Sequence, residues 1–196
     1  MQNVKVGLVG AGTIGMRHIQ AIDALKEISL VAIADPSLAV EGLVTKRAIP
    51  LYKEAQTMFE AGNLDAVIVA APTNHHYDIV MNALNHHLTV LVEKPITATI
   101  EEARKVTSFA YKQKCQVLVG HQRRYYPCTK TAKDIIHSGR IGTLMAMTGQ
   151  WTVRKDSQYY EPHWRRQVEA GPILTNLIHE IDSVSYTHLT LPTTPY

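Results

Sequence analysis

The chain has 196 residues, 45% of them apolar and 19% charged, with a formal net charge of +3. This is the composition of an ordinary globular protein with material for one large domain, or for one domain and part of another. The basic pairs Arg123-Arg124 and Arg165-Arg166 are too short for a nucleic-acid footprint, and no apolar run approaches the roughly 18–20 residues needed to cross a bilayer. A strand begins within a few residues of the start, leaving no room for a signal peptide. Cys115 and Cys128 make neither a disulfide framework nor a metal-ligand spacing, which suits a reducing compartment, so a cytoplasmic protein is expected. His75-His76 and His86-His87 form no recognisable ligand set, so no metal site is expected.

Short apolar runs then alternate with helical patterns. Residues 4–10, 29–35, 64–71, 88–94 and 116–120 are almost continuously apolar, as parallel strands are when both sheet faces are covered. Helices are predicted near 13–25, 37–46, 53–61, 75–85 and 99–113, the last opened by a capping box of Thr99 and Glu102. A weaker strand near 48–52 contains Pro50, which confines it to an edge or a strand start. Such alternation gives an α/β fold with a doubly wound parallel sheet.

After Gly120 the pattern changes. Residues 127–142 read as a helix ending at Gly139, residues 143–153 as a strand of antiparallel character, and a further helix begins near Pro172. Residues 1–120 are therefore read as one domain and 121–183 as the beginning of a second, too short to close a sheet. The helical pattern breaks at Ser183 into a Thr- and Pro-rich run. "VSYTHLTLPT" (184–193) resembles the translation of a transposon adapter used in sequencing libraries, so 184–196 is read as a non-native tail.

Gly10-x-Gly12-x-x-Gly15 follows the first strand and opens the first helix, and Asp35 ends the second strand. In this context the pattern is a dinucleotide fingerprint. Gly10 makes the tight turn, Gly12 lets the backbone approach a pyrophosphate, and Gly15 lets helix and strand pack closely. The phosphates would sit over the N–H groups at the helix start, at Thr13 and Ile14. Asp35 can accept hydrogen bonds from ribose hydroxyls and would repel a 2′-phosphate, which favours NAD over NADP. S-adenosylmethionine is a rival ligand for the same loop.

"GLVGAGTIGMRH", "APTNHHYD", Glu93-Lys94-Pro95 at a strand end and "GPILTNLIHEID" occur in this order. Together they resemble the glucose–fructose oxidoreductase / inositol dehydrogenase / MocA family across residues 1–183. The resemblance implies a nicotinamide-binding Rossmann domain. It also implies a second α/β domain with an open, mostly antiparallel sheet, used for substrate binding and for assembly into homodimers or homotetramers. It implies that Pro72, Thr73, Asn74 and His76 lie along the nicotinamide half of the cofactor and that Glu93 contacts its ribose. Lys94 matches the catalytic lysine and His179 the catalytic histidine. "GHQRR" (120–124) matches the crossover, bringing His121 or Arg123 near cofactor or substrate, with Gln122 on the cofactor side. Many members carry Asp four residues before the histidine; here that position is Thr175, followed by Asn176, so polyol contacts made through that Asp do not transfer.

The expected activity is NAD-dependent transfer of a hydride from a secondary alcohol of a sugar, polyol or related cyclic compound. His179 would take the proton and Lys94 would stabilise the alkoxide. A strand that ends in Glu93-Lys94 delivers both to the cofactor edge, Pro95 fixes the turn, and the Lys94-Pro95 bond is a candidate for cis geometry. In "YYEPHWRR" (159–166), Tyr159, Trp164 and Arg165 are candidate substrate contacts. An NAD-dependent glycosidase and a sensor of NAD or sugar are the competing readings.

Overall fold

The computed structural model describes residues 3–37, 40–146, 150, 152–161, 166, 171 and 173–188, with backbone only at 174, 175 and 188. The chain divides into two compact units, Met1–Gly120 and His121–Tyr196.

The first unit is built on six strands, β1 (Val4–Val9), β2 (Ile28–Ala34), β3 (Leu51–Tyr52), β4 (Ala66–Val69), β5 (Thr89–Val92) and β6 (Val117–Val119). They pair in the order β3-β2-β1-β4-β5-β6, all parallel. This is the doubly wound order with its switch point between β1 and β4. The helices are α1 (Thr13–Asp23), α2 (Glu41–Arg47), α3 (Ala55–Glu60), α4 (His76–Asn85) and α5 (Ile100–Gln113).

Two cores cover the two sheet faces. Val6, Leu8, Ile33 and Ile68 pack with Ile19 and Ile22 of α1 and Val44 of α2. Val67, Val69, Val90 and Val92 pack with Phe59 of α3, Leu84 of α4 and Val106 of α5. In β4, Ile68 turns to one core and its neighbours Val67 and Val69 to the other, as strand alternation requires. Covering both faces leaves no place for the polar alternation of a half-exposed strand, hence the continuous apolar runs. The capping box of α5 forms as expected: Thr99 accepts the Glu102 N–H, and Glu102 accepts the Thr99 N–H, each at 3.2 Å.

In the second unit, α6 (Pro127–His137) begins with proline at its first turn, where the missing N–H costs nothing. It ends slightly earlier than expected, with Gly139 at φ 73° beyond it. A π-helical turn (Ile173–Leu177) leads into α7 (Ile178–His188).

Two expectations are not met among the described residues. The described residues of 143–153 form no strand, and residues 147–149 and 151 lie outside the description. A strand needs a partner for its backbone N–H and C=O groups, and the second unit has no strand among its described residues. The antiparallel sheet is accordingly not seen. Nor does the helix stop at Ser183. α7 runs on to His188, the Thr187 hydroxyl donates to the Ser183 carbonyl at 2.9 Å, and Lys133 Nζ lies 3.8 Å from the centre of the Tyr186 ring. No helix among the described residues is long and apolar enough to cross a membrane.

Candidate functional site

The sheet register builds the site. Val9 pairs with Ala34 on one side and Val69 on the other, Val69 with Val92, and Val92 with Val119. The residues that follow therefore form one row along the carboxyl edge: Asp35, Gly10, Ala70, Glu93 and Gly120. Their amides continue the ladder, with Gly10 donating to Ala34, Ala70 to Val9, Glu93 to Val69 and Gly120 to Val92, at 2.8–2.9 Å. Ligands of open α/β sheets bind at this edge.

The three glycines of the turn differ in what demands them. Gly10 has φ +87°, and a Cβ there would lie 2.8 Å from the Ala70 carbonyl. At Gly15 a Cβ would lie 2.0 Å from the Gly10 carbonyl oxygen. Packing of the protein explains both. Gly12 has an ordinary extended backbone (φ −67°, ψ −165°), and a Cβ there would meet nothing within 4 Å. The open space lies beside the start of α1, which has no side-chain cap and no acidic residue in its first turn. The N–H groups at Thr13 and Ile14 thus face a space suited to an anion. The residues present fit a dinucleotide pyrophosphate.

Asp35 closes the loop from the side. Its carboxylate accepts the Ala11 N–H at 2.7 Å and the Ser37 N–H at 2.8 Å, and it retains lone pairs for a further donor.

At the far end of the row the Lys94-Pro95 bond is cis. Glu93 accepts from His18 Nε2 at 2.8 Å and from the Lys94 N–H at 3.3 Å. Burial pushes its carboxyl up, but the hydrogen bond and charge of His18, with Lys94, outweigh it and hold the group below the ordinary glutamate range.

Pro72, Thr73 and Asn74 lie at the start of a 3₁₀ turn (Thr73–His75) beyond β4. His76 follows this turn as the first residue of α4. It is 1% exposed, and its ring nitrogens face the Ala71 and Pro95 carbonyls, each at 2.8 Å. Set between these two carbonyls, the ring braces the β4 loop against the loop after β5.

The second unit gathers the remaining described candidates. His121 precedes the 3₁₀ turn Gln122–Tyr125, and its Nδ1 lies 3.7 Å from Asp182. Arg123, expected at cofactor or substrate, forms an ion pair with Glu180. Arg124 donates through Nε and Nη2 to both oxygens of Asp182, at 2.5–3.1 Å, and the pairing raises its pKa further. His179 lies in the first turn of α7, and Thr175 and Asn176 in the π-helical turn before it. Tyr159 stacks edge-on against Tyr160, with ring centres 5.1 Å apart. Trp164 and Arg165 lie outside the described residues. Among the described residues no cluster of His, Cys, Asp and Glu could hold a metal ion.

Sequence reading missed His18, Glu180 and Asp182. For His18 a signal existed: with Gly15, Ile19 and Ile22 it falls on one helical stripe whose other members are buried.

Residues 4–121 match the model of the family described as "Oxidoreductase family, NAD-binding Rossmann fold". The rhizopine catabolism protein MocA of Rhizobium meliloti is 32% identical over 187 residues, which are 95% of this chain and 57% of that protein. Inositol 2-dehydrogenase of Rhizobium meliloti (strain 1021) is 29% identical over 145 residues, covering 74% of this chain and 44% of the relative. The chain thus spans about half the length of the curated relatives it matches. Among solved structures, apo scyllo-inositol dehydrogenase from Lactobacillus casei superposes with a TM-score of 0.81 at 21% identity, over 95% of this chain and 55% of that one. The WlbA dehydrogenase from Bordetella pertussis, in complex with NADH and UDP-GlcNAcA, gives 0.86 at 23% identity, over 95% and 56%. The parallel sheet and its glycine turn agree with the family match: the chain belongs to the Gfo/Idh/MocA oxidoreductase family, with its NAD-binding Rossmann domain.

Proposed function

We propose that the protein is an NAD-dependent oxidoreductase acting on a secondary alcohol of a sugar, polyol or related cyclic compound. Residues 1–120 would hold the cofactor. Residues 121–183 would begin the domain for substrate binding and for assembly as a homodimer or homotetramer, in the cytoplasm. The observation that carries the reading is Gly12, where no neighbouring protein atom explains the missing side chain. The relative named inositol 2-dehydrogenase and the NADH-bound WlbA dehydrogenase structure support it.

In this reading Gly12 and the N–H groups of Thr13, Ile14 and Gly15 take the pyrophosphate. The free lone pairs of Asp35 take the adenosine ribose hydroxyls, and its charge disfavours NADP. Pro72, Thr73 and Asn74 flank the nicotinamide half, Glu93 meets its ribose, and Gln122 adds a polar contact. When bound, NAD supplies the carbon that accepts the hydride. Lys94 holds the alcohol oxygen and stabilises negative charge developing on it, while His179 accepts the hydroxyl proton as general base. Trp164, Arg165, Thr175 and Asn176 are proposed for the substrate side. Arg123 would have to contact substrate while it keeps Glu180.

The test is a screen for NADH formation against inositols, aldoses, sugar acids and glycosides, followed by Lys94→Ala. Turnover should fall by about 10²-fold or more, with NAD affinity changing only a few-fold. Equal losses in both would contradict the catalytic role of Lys94. Release of sugar without net NADH would move the assignment to an NAD-dependent glycosidase.

A further inference from the structure

α1 carries both the glycine turn and His18, and His18 reaches across the sheet edge to Glu93. The contact joins residues 75 apart in sequence, at 2.8 Å, with side chains only 20% and 18% exposed. An exposed ion pair contributes little; a pair withdrawn this far from water is stronger, and losing one member leaves the other inadequately solvated.

The carboxylate is held on three sides. One oxygen takes His18 Nε2, and the other takes the Lys94 N–H at 3.3 Å. The third side is the backbone of Gly120, where a Cβ would stand 3.1 Å from Oε2 and 3.2 Å from Oε1. The backbone beneath is pinned too, since the Glu93 N–H donates to Val69 at 2.9 Å. Charged and titratable groups act on the carboxyl from two elements, His18 from α1 and Lys94 from its own segment. The end of β6 presents Gly120, which carries no charge.

We infer that His18 is a positioning residue: from the helix that bears the glycine turn, it fixes the Glu93 carboxylate in orientation at the far end of the cofactor edge. One rigid helix then sets both the pyrophosphate turn and the carboxylate assigned to the nicotinamide ribose. The inference deepens the NAD reading and rests on it for what the carboxylate meets. A side chain at Gly120 would crowd the carboxylate by a few tenths of an ångström.

The experiment compares His18→Ala, His18→Gln and Gly120→Ala with the unaltered protein. It follows NADH binding by fluorescence and the Glu93 carboxyl by carbon NMR across pH. In His18→Ala, burial is left without its main opponent, so the Glu93 titration should move upward and NADH affinity near neutral pH should fall about tenfold. His18→Gln places an amide donor near the same point and should restore most of the affinity. Gly120→Ala should weaken binding with His18 intact. An unmoved Glu93 titration in His18→Ala would overturn the inference, and so would equal losses in the Ala and Gln variants. If the unaltered protein takes no NADH, the NAD reading fails, and the carboxyl titration alone then decides whether His18 positions Glu93.

Discussion

The Asp35 carboxylate accepts the Ala11 N–H at 2.7 Å, joining the end of β2 to the glycine turn. With the Ser37 N–H on its other oxygen, the side chain braces two loops while keeping acceptor capacity toward the cofactor edge. Asp35→Ala should therefore do two things. It should lower stability by about 1–2 kcal/mol and weaken NADH binding by about tenfold. Asp35→Ser should raise NADPH affinity relative to NADH, because the repulsive charge is gone. Denaturant unfolding and paired NADH and NADPH titrations check both.

Gly15→Ala is expected to be severely destabilising. Its methyl would fall 2.0 Å from the Gly10 carbonyl oxygen, and backbone rather than a flexible side chain would have to move. A loss of about 2–3 kcal/mol is expected, read as a lower denaturant midpoint whether or not cofactor is present.

Acid stability depends on Glu93. Its folded-state pKa lies below the ordinary value, so its stabilising contribution is complete above the unfolded glutamate pKa of about 4.3. The contribution is lost as pH falls through the folded value. In His18→Ala the sign should reverse: burial would raise the folded pKa, and the carboxyl would then cost stability at neutral pH. Thermal melts from pH 3 to pH 8 should show the difference between the two proteins narrowing toward acid. A constant difference across that range would contradict it.

In the second unit, Arg124→Ala should leave Asp182, 9% exposed, without its two-pronged donor. A cost of about 1–3 kcal/mol is expected. Arg124→Lys should recover only part, because an ammonium cannot reproduce the Nε and Nη2 pair. Hydrogen exchange along α7 checks this locally.

The parallel sheet was legible because its inner strands are covered on both faces, which leaves continuous apolar runs such as Val67-Ile68-Val69 and Val90-Leu91-Val92. The glycine turn and Asp35 were legible because each requirement is local, a tight turn, a close helix, a carboxylate at a strand end. His18–Glu93 was not, since pairing between residues 75 apart leaves no periodicity to read. The packing of His76 was hidden for a related reason: nothing local in the sequence shows its ring turned inward to the Ala71 and Pro95 carbonyls. Residues 143–153 have strand-forming side chains but no partner strand among the described residues. The end of α7 was obscured by threonines, which read as helix breakers, yet Thr187 bonds back to the Ser183 carbonyl one turn earlier.

Gly12 is where fold and ligand separate most cleanly, since its backbone suits any residue and the space beside it is open. The deciding measurement is a calorimetric titration of NADH into the unaltered protein and into Gly12→Ala, with melting temperatures recorded for both. Saturable binding by the unaltered protein is expected, with affinity about tenfold or more weaker in Gly12→Ala and a melting temperature equal or slightly higher. Equal affinities, or no binding by the unaltered protein, would contradict the assignment of this edge to a dinucleotide.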